Sequence, residues 1–167
     1  MAITSIMGFK IIGVIGSSQA EGELLTLAEE VGAEIAKRGA AIVCGGLTGV
    51  MEAVCRGARR EGGLTIGIIP SDNKKDANPY VQIPIVTGMG MGRNVMLVKT
   101  ADVVIAVGGE FGTLSEIAHA LKLGKTVIGL RSWKLEKART GPIPNLIEVD
   151  SPKKAVDLAL NVISAKR

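Results

Sequence analysis

Apolar residues fall in short solid blocks, separated by stretches in which they recur at every third or fourth position. The blocks 10–15, Ala41-Ile-Val-Cys44, 65–69, 83–86, 103–107, 126–130 and 147–149 read as strands. Most are near-continuous Val and Ile runs rather than alternating ones, the pattern of strands covered on both faces of a parallel sheet. Between them, Leu24, Leu27, Ala28, Val31 and Ile35 line one face of a helix. Ser18 and Glu21 have capping-box spacing at its start, and Lys37-Arg38-Gly39 ends it. Further helices are predicted over 50–61, 93–99 and 113–122, and another from Pro152 toward Arg167, with Ser151 as its N-cap. Residues 71–80 and 131–145 are expected as loops, the first a candidate lid. The chain is therefore expected to be a single-domain α/β protein over 1–167: Rossmann-like and doubly wound, with a mainly parallel sheet and helices on both faces. Residues 1–9 read as an N-terminal tail.

Composition narrows the function. An apolar content of 47% excludes a disordered linker, and an aromatic content of 2% makes the core aliphatic. The net charge of +4 comes from basic pairs scattered along the chain with no aromatic platform among them, so nucleic acid is not an expected partner. The longest apolar runs, about five residues, are far short of the roughly 20 needed to span a bilayer, so no membrane association is expected. Cys44 and Cys55 form no CxxC, and one histidine is too few for a zinc site. Both thiols are expected reduced and buried in a cytoplasmic protein, with no metal and no cofactor.

Three glycine-bearing turns follow strands and lead into helices: Gly16-Ser17-Ser18, Gly45 to Gly49, and Gly108 to Thr113. Such turns leave free N–H groups at the carboxyl edge of a sheet, where an anion is welcome. A small phosphorylated ligand is the expected partner. Gly13-Val-Ile-Gly16-Ser17-Ser18 is not GxGxxG, and Cys44-Gly45-Gly46 stands where a ribose-binding acid is expected, which disfavours NAD. Val50-Met51 follows the second turn in place of the Walker lysine, which argues against ATP hydrolysis.

Ile42-Val-Cys-Gly-Gly-Leu-Thr-Gly-Val-Met51, Arg93-Asn94 and Gly109-Glu-Phe-Gly-Thr-Leu-Ser-Glu116 resemble the LOG (Lonely Guy) proteins over roughly residues 10 to 130. The resemblance implies a phosphoribohydrolase that splits a nucleoside 5′-monophosphate into free base and ribose 5-phosphate. Arg93 and Glu116, 23 residues apart, correspond to that family's catalytic pair. It also implies a homodimer or larger homo-oligomer. Three departures, with the Asn78-Pro79-Tyr80 segment, are similar instead to a sister branch, the molybdenum cofactor carrier proteins, which bind a phosphorylated pterin without cleaving it. Gly108 replaces a proline, Glu110 a phosphate-facing glycine, and Asn94 the usual lysine. The lysine decarboxylase label that such proteins sometimes carry gains no support, since no lysine has the context of a Schiff base.

The expected site is therefore Arg93 and Glu116 as the catalytic pair. Gly16, Ser17, Gly45, Gly46, Thr48, Gly109, Glu110, Gly112 and Thr113 are expected to hold phosphate and nucleotide. Each has a plainer reading. Thr113-Leu-Ser-Glu116 is also a capping box, Arg93 also a candidate for a surface salt bridge, and Ser17 also a turn residue. Met89 and Met91 read as packing, and His119 as no metal ligand, because Glu116-x-x-His119 occurs once only. Two functions stay open: hydrolysis of the N-glycosidic bond, or non-catalytic carriage of a nucleotide-like ligand such as a molybdopterin cofactor.

Overall fold

The structure, a computed structural model, describes residues 8–166; the start of the expected tail lies outside them. Seven parallel strands form one sheet: β1 (Ile11–Gly16), β2 (Ala41–Cys44), β3 (Thr65–Ile69), β4 (Ile83–Val86), β5 (Val103–Val107), β6 (Val127–Leu130) and, beyond a small ribbon, β9 (Leu146–Val149). Their order is β4-β3-β2-β1-β5-β6-β9. The chain builds outward from β1 to β4, then returns to place β5 on the other side of β1. The switch point of a doubly wound sheet, where ligands bind outside the strands' carboxyl ends, thus lies between β1 and β5.

Helices α1 (Glu23–Lys37), α2 (Val50–Arg60) and α5 (Pro152–Ala165) cover one face, and α3 (Arg93–Thr100) and α4 (Phe111–Lys122) the other. Period-two alternation sorts the strand side chains between them. Ile42 and Cys44 join the α1/α2/α5 core, and Val43 joins the α3/α4 core. Both cores are aliphatic, as the composition requires. No helix among the described residues is long and apolar enough to cross a membrane.

Three local expectations are corrected. The capping box at Ser18 and Glu21 does not form. Helix α1 starts at Glu23 behind Gly22, with no side-chain cap, because the Ser17 hydroxyl accepts the Gln19 N–H and closes a separate turn. Helix α4 starts at Phe111 rather than at residue 113, so Thr113 sits inside its first turn instead of capping it. The 131–145 loop contains a two-stranded antiparallel ribbon, β7 (Glu136–Lys137) and β8 (Gly141–Pro142), turning through left-handed Gly141. The α5 start is as expected: the Ser151 hydroxyl accepts the Lys154 N–H ahead of Pro152.

Candidate functional site

At the carboxyl ends of β1, β2 and β5 the sheet edge opens into a cleft of about 210 Å³. Gly16, Ser17 and Ser18 form its wall after β1, Leu47 and Met51 after β2, and Glu110, Gly112, Thr113 and Glu116 after β5, while Arg93 and Asn94 enter from the start of α3. Residues from four separate segments thus meet at the switch point.

Arg93 and Glu116 face each other across the deep end, with Nη1 3.9 Å from Oε1 and only 10% and 9% of their side chains exposed. That distance permits Coulomb attraction but is too long for a hydrogen bond. Arg93 is held from the protein side instead. Its Nη2 donates to the Gly45 carbonyl at 3.4 Å and its Nη1 to Asn94 Oδ1. Its Nε is buried with no partner among the described residues. Burial pushes the Glu116 carboxyl up to about 7, with Arg93 pulling partly the other way. Burial also lowers Arg93 from its usual value, against the opposing pull of Glu116. The pair therefore combines a fixed cation with a carboxyl poised to exchange a proton near neutrality. Neither plainer reading survives: Arg93 is no surface cation, and Glu116 does not reach back to cap α4.

Gly45 explains the placement of Arg93. A Cβ there would lie 2.6 Å from both Arg93 Nη2 and Met51 Sδ, so only glycine lets the guanidinium lie against this turn. Asn78, buried in the loop before β4, fastens the same turn: its Nδ2 donates to the Leu47 carbonyl at 2.8 Å and its N–H to the Gly46 carbonyl at 2.8 Å. The candidate lid is thus anchored to the cleft wall at its last residues.

At the shallow end, Glu110 precedes α4 without a side-chain cap. The first-turn N–H groups of Phe111, Gly112 and Thr113 therefore keep the positive pole of the helix for an outside partner. Gly108 has φ +56°, an angle proline cannot adopt. Proline therefore does not fit position 108 of this turn.

Of the residues expected at the site, Arg93, Glu116, Gly16, Ser17, Glu110, Gly112 and Thr113 converge on the cleft. Others do not. Thr48 does not line the cleft, and its hydroxyl donates to the Ser18 carbonyl at 2.9 Å. Gly46 directs its N–H to Cys44 Sγ at 3.4 Å. Gly109 is not among the lining residues and packs against the Thr113 side chain, and Gly45 acts through Arg93. Met89 and Met91 are 55% and 84% exposed rather than packed. His119 bonds the Ser115 carbonyl one turn back. Among the described residues no three His, Cys, Asp or Glu side chains gather into a metal-binding group. The expected site lacked Ser18, Leu47, Met51 and Asn94, which also line the cleft. Ser18 had a signal in the Gly16-Ser17-Ser18 turn and Asn94 in its adjacency to Arg93; Leu47 and Met51 lie in the glycine-turn motif but carry no chemistry that singles them out.

The chain matches the model of the SLOG cluster4 family (LDcluster4) over residues 9–156. It is 48% identical to an uncharacterized protein of Archaeoglobus fulgidus over 121 residues, 72% of this chain and 79% of that one. It is 34% identical over 137 residues to the cytokinin riboside 5′-monophosphate phosphoribohydrolase of Mycobacterium marinum, covering 71% of this chain and 73% of that enzyme. Among solved structures, the molybdenum cofactor binding protein of Rippkaea orientalis superposes with a TM-score of 0.84 at 38% identity, covering 94% of this chain and 99% of that one.

Proposed function

Because this chain belongs to the SLOG cluster4 family, we propose that it binds a nucleoside 5′-monophosphate and hydrolyses its N-glycosidic bond to free base and ribose 5-phosphate. The observation that carries this reading is the buried Arg93–Glu116 pair, 3.9 Å apart at the deep end of a cleft whose shallow end is an uncapped helix start. The two ends suit two parts of one ligand. A phosphate fits the first-turn N–H groups of α4, and the sugar then extends toward Glu116.

Water adds to C1′ as the C1′–N bond breaks, and the departing base takes up a proton. Positive charge develops on the ribose ring, and an ionised Glu116 stabilises it, as carboxylates do in glycosidases. With a carboxyl near 7, Glu116 also accepts the proton of the attacking water at neutral pH. Arg93, 3.9 Å away, attracts the Glu116 carboxylate and favours its ionised form.

The experiment is incubation of the purified protein with AMP, followed by chromatography for free adenine. Multiple turnovers are expected, and Arg93→Ala with Glu116→Ala should abolish them. Adenine release surviving in the double variant overturns the assignment of the pair.

A second reading, carriage of a phosphorylated pterin-like ligand without cleavage, is favoured by one observation. Exposed Glu110 stands on the cleft rim beside the helix start, where a carboxylate repels a phosphate placed close to it. The Rippkaea orientalis likeness supports the same reading. Saturable binding of AMP with no release of base would select it.

A further inference from the structure

Beneath the cleft lies a reactive pair that the proposed chemistry does not use. Cys44 ends β2 and Cys55 faces it from the middle of α2, with the two Sγ atoms 3.5 Å apart and both residues fully buried. They are the only cysteines in the chain. The segment between them is the Gly45–Gly49 turn and the first half of α2, which carries the Leu47 and Met51 walls of the cleft and the Gly45 carbonyl that holds Arg93.

We propose that Cys44 and Cys55 are a redox-modification site, a dithiol that a peroxide converts to an intramolecular disulfide and that thereby resets the turn beneath the cleft.

The geometry brings the sulfurs to contact but not to bonding distance. A disulfide requires closure from 3.5 Å to about 2.05 Å. The closure draws α2 toward the end of β2, and Gly45 is the next residue along the chain. One contact distinguishes the two sulfurs. They share a hydrogen bond in which either can donate, but the Gly46 N–H donates to Cys44 Sγ alone, at 3.4 Å. The bond shared with Cys55, this N–H and nearby Arg93 favour the Cys44 thiolate, whereas Cys55, bonded to Cys44 and buried, is held protonated. On the Gly46 contact, Cys44 is the nucleophile and Cys55 the resolving thiol.

In the first step, the Cys44 thiolate attacks a peroxide oxygen. An S–O bond forms, the O–O bond breaks, and the leaving hydroxide takes up a proton as water. In the second, Cys55 sulfur attacks Cys44 sulfur. The S–S bond forms, the S–O bond breaks, and the departing hydroxide takes the Cys55 proton as a second water. Two electrons pass from the thiols to the peroxide. Full burial excludes a bulky oxidant such as glutathione disulfide, which must seat its own chain against the attacking sulfur.

The test treats the full-length native protein with hydrogen peroxide, and in parallel with glutathione disulfide. It then counts alkylatable thiols after denaturation and records the intact mass. Peroxide should give a monomer lighter by two hydrogens with no alkylatable thiol, reversed by dithiothreitol. Glutathione disulfide should leave both thiols free. Cys55→Ser should form no intramolecular disulfide and should retain Cys44 oxidised to sulfenic or higher acids. Two thiols still alkylatable after an exposure that fully oxidises the urea-unfolded chain, or a disulfide between two chains, would overturn the proposal. For the cleft, which rests on the function proposed above, oxidation should weaken AMP binding by at least about fivefold, reversibly. Unchanged affinity removes the link to the turn. No AMP binding by the reduced protein instead removes the proposed function, while the thiol count still decides the redox site.

Discussion

Two of the molecule's arginine–glutamate clusters have opposite character. On the α1/α2 surface, Glu29 takes Arg56 Nε at 3.0 Å and Arg60 Nη1 at 2.6 Å, with the arginines 36% and 57% exposed. The Arg56 hydrogen bond holds the Glu29 carboxyl below the usual range. In the cleft, Arg93 and Glu116 stand 3.9 Å apart, nearly dry, and burial pushes the carboxyl the other way. The same two residue types make a hydrogen-bonded surface tie in one place and a buried pair without a direct hydrogen bond in the other. Good geometry in water yields a quiet ion pair of small worth. Poor geometry away from water costs stability, and such a cost is commonly met at functional sites.

The largest test of this contrast is turnover. Glu116→Gln should lower adenine release from AMP by about 10²- to 10⁴-fold, whereas Glu29→Gln should leave it unchanged, both followed by chromatography. Equal losses in the two variants would erase the distinction.

The next is stability against pH. Glu116 binds its proton more tightly folded, near 7, than unfolded, near its ordinary value of 4.5. Folding is therefore favoured by this group below about pH 4.5, and that advantage drains away as pH rises to about 7. The full change is at most about 3 kcal/mol. Urea midpoints between pH 5 and pH 8 should fall more steeply for the native sequence than for Glu116→Gln. Glu29 runs oppositely: its lowered carboxyl gives stability at neutral pH that is lost in acid, below its ordinary range.

Gly45→Ala is expected to act on the cleft alone. Its new methyl group displaces the Arg93 guanidinium or Met51, and AMP affinity should fall about tenfold by calorimetry. The smallest effect belongs to the surface tie, where Glu29→Ala should cost no more than about 1 kcal/mol in denaturant unfolding and should shrink with added salt.

Much of this was legible in the residues themselves. Seven Val- and Ile-rich blocks announce a parallel sheet because burial on both faces demands them, and Ser151-Pro152 announces α5 because its cap is local. Arg93 is legible from its motif and its spacing of 23 residues from Glu116. What could not be read depended on distant partners. The capping box at Ser18 loses to a turn closed by Ser17, and Thr113-Leu-Ser-Glu116 loses its capping role once α4 begins two residues earlier. The Thr48 hydroxyl is engaged by a carbonyl 30 residues away. The burial that separates Glu116 from Glu29 is a property of the whole sheet edge, invisible in either residue's neighbours along the chain.

The strand order also bears on how the chain acquires its shape. Neighbours β1 to β4 pair in sequence, as do β5, β6 and β9, but β1 and β5 lie about ninety residues apart and pair from Ile12–Val103 to Gly16–Val107. Of all the strand pairings in the sheet this seam spans the longest stretch of chain and so carries the largest loop-closure entropy, and the cleft residues are drawn from both of its sides. A mononucleotide bound as proposed above would act as a rivet across that seam, adding its binding energy to the stability of a joint that the chain between the two strands does little to hold.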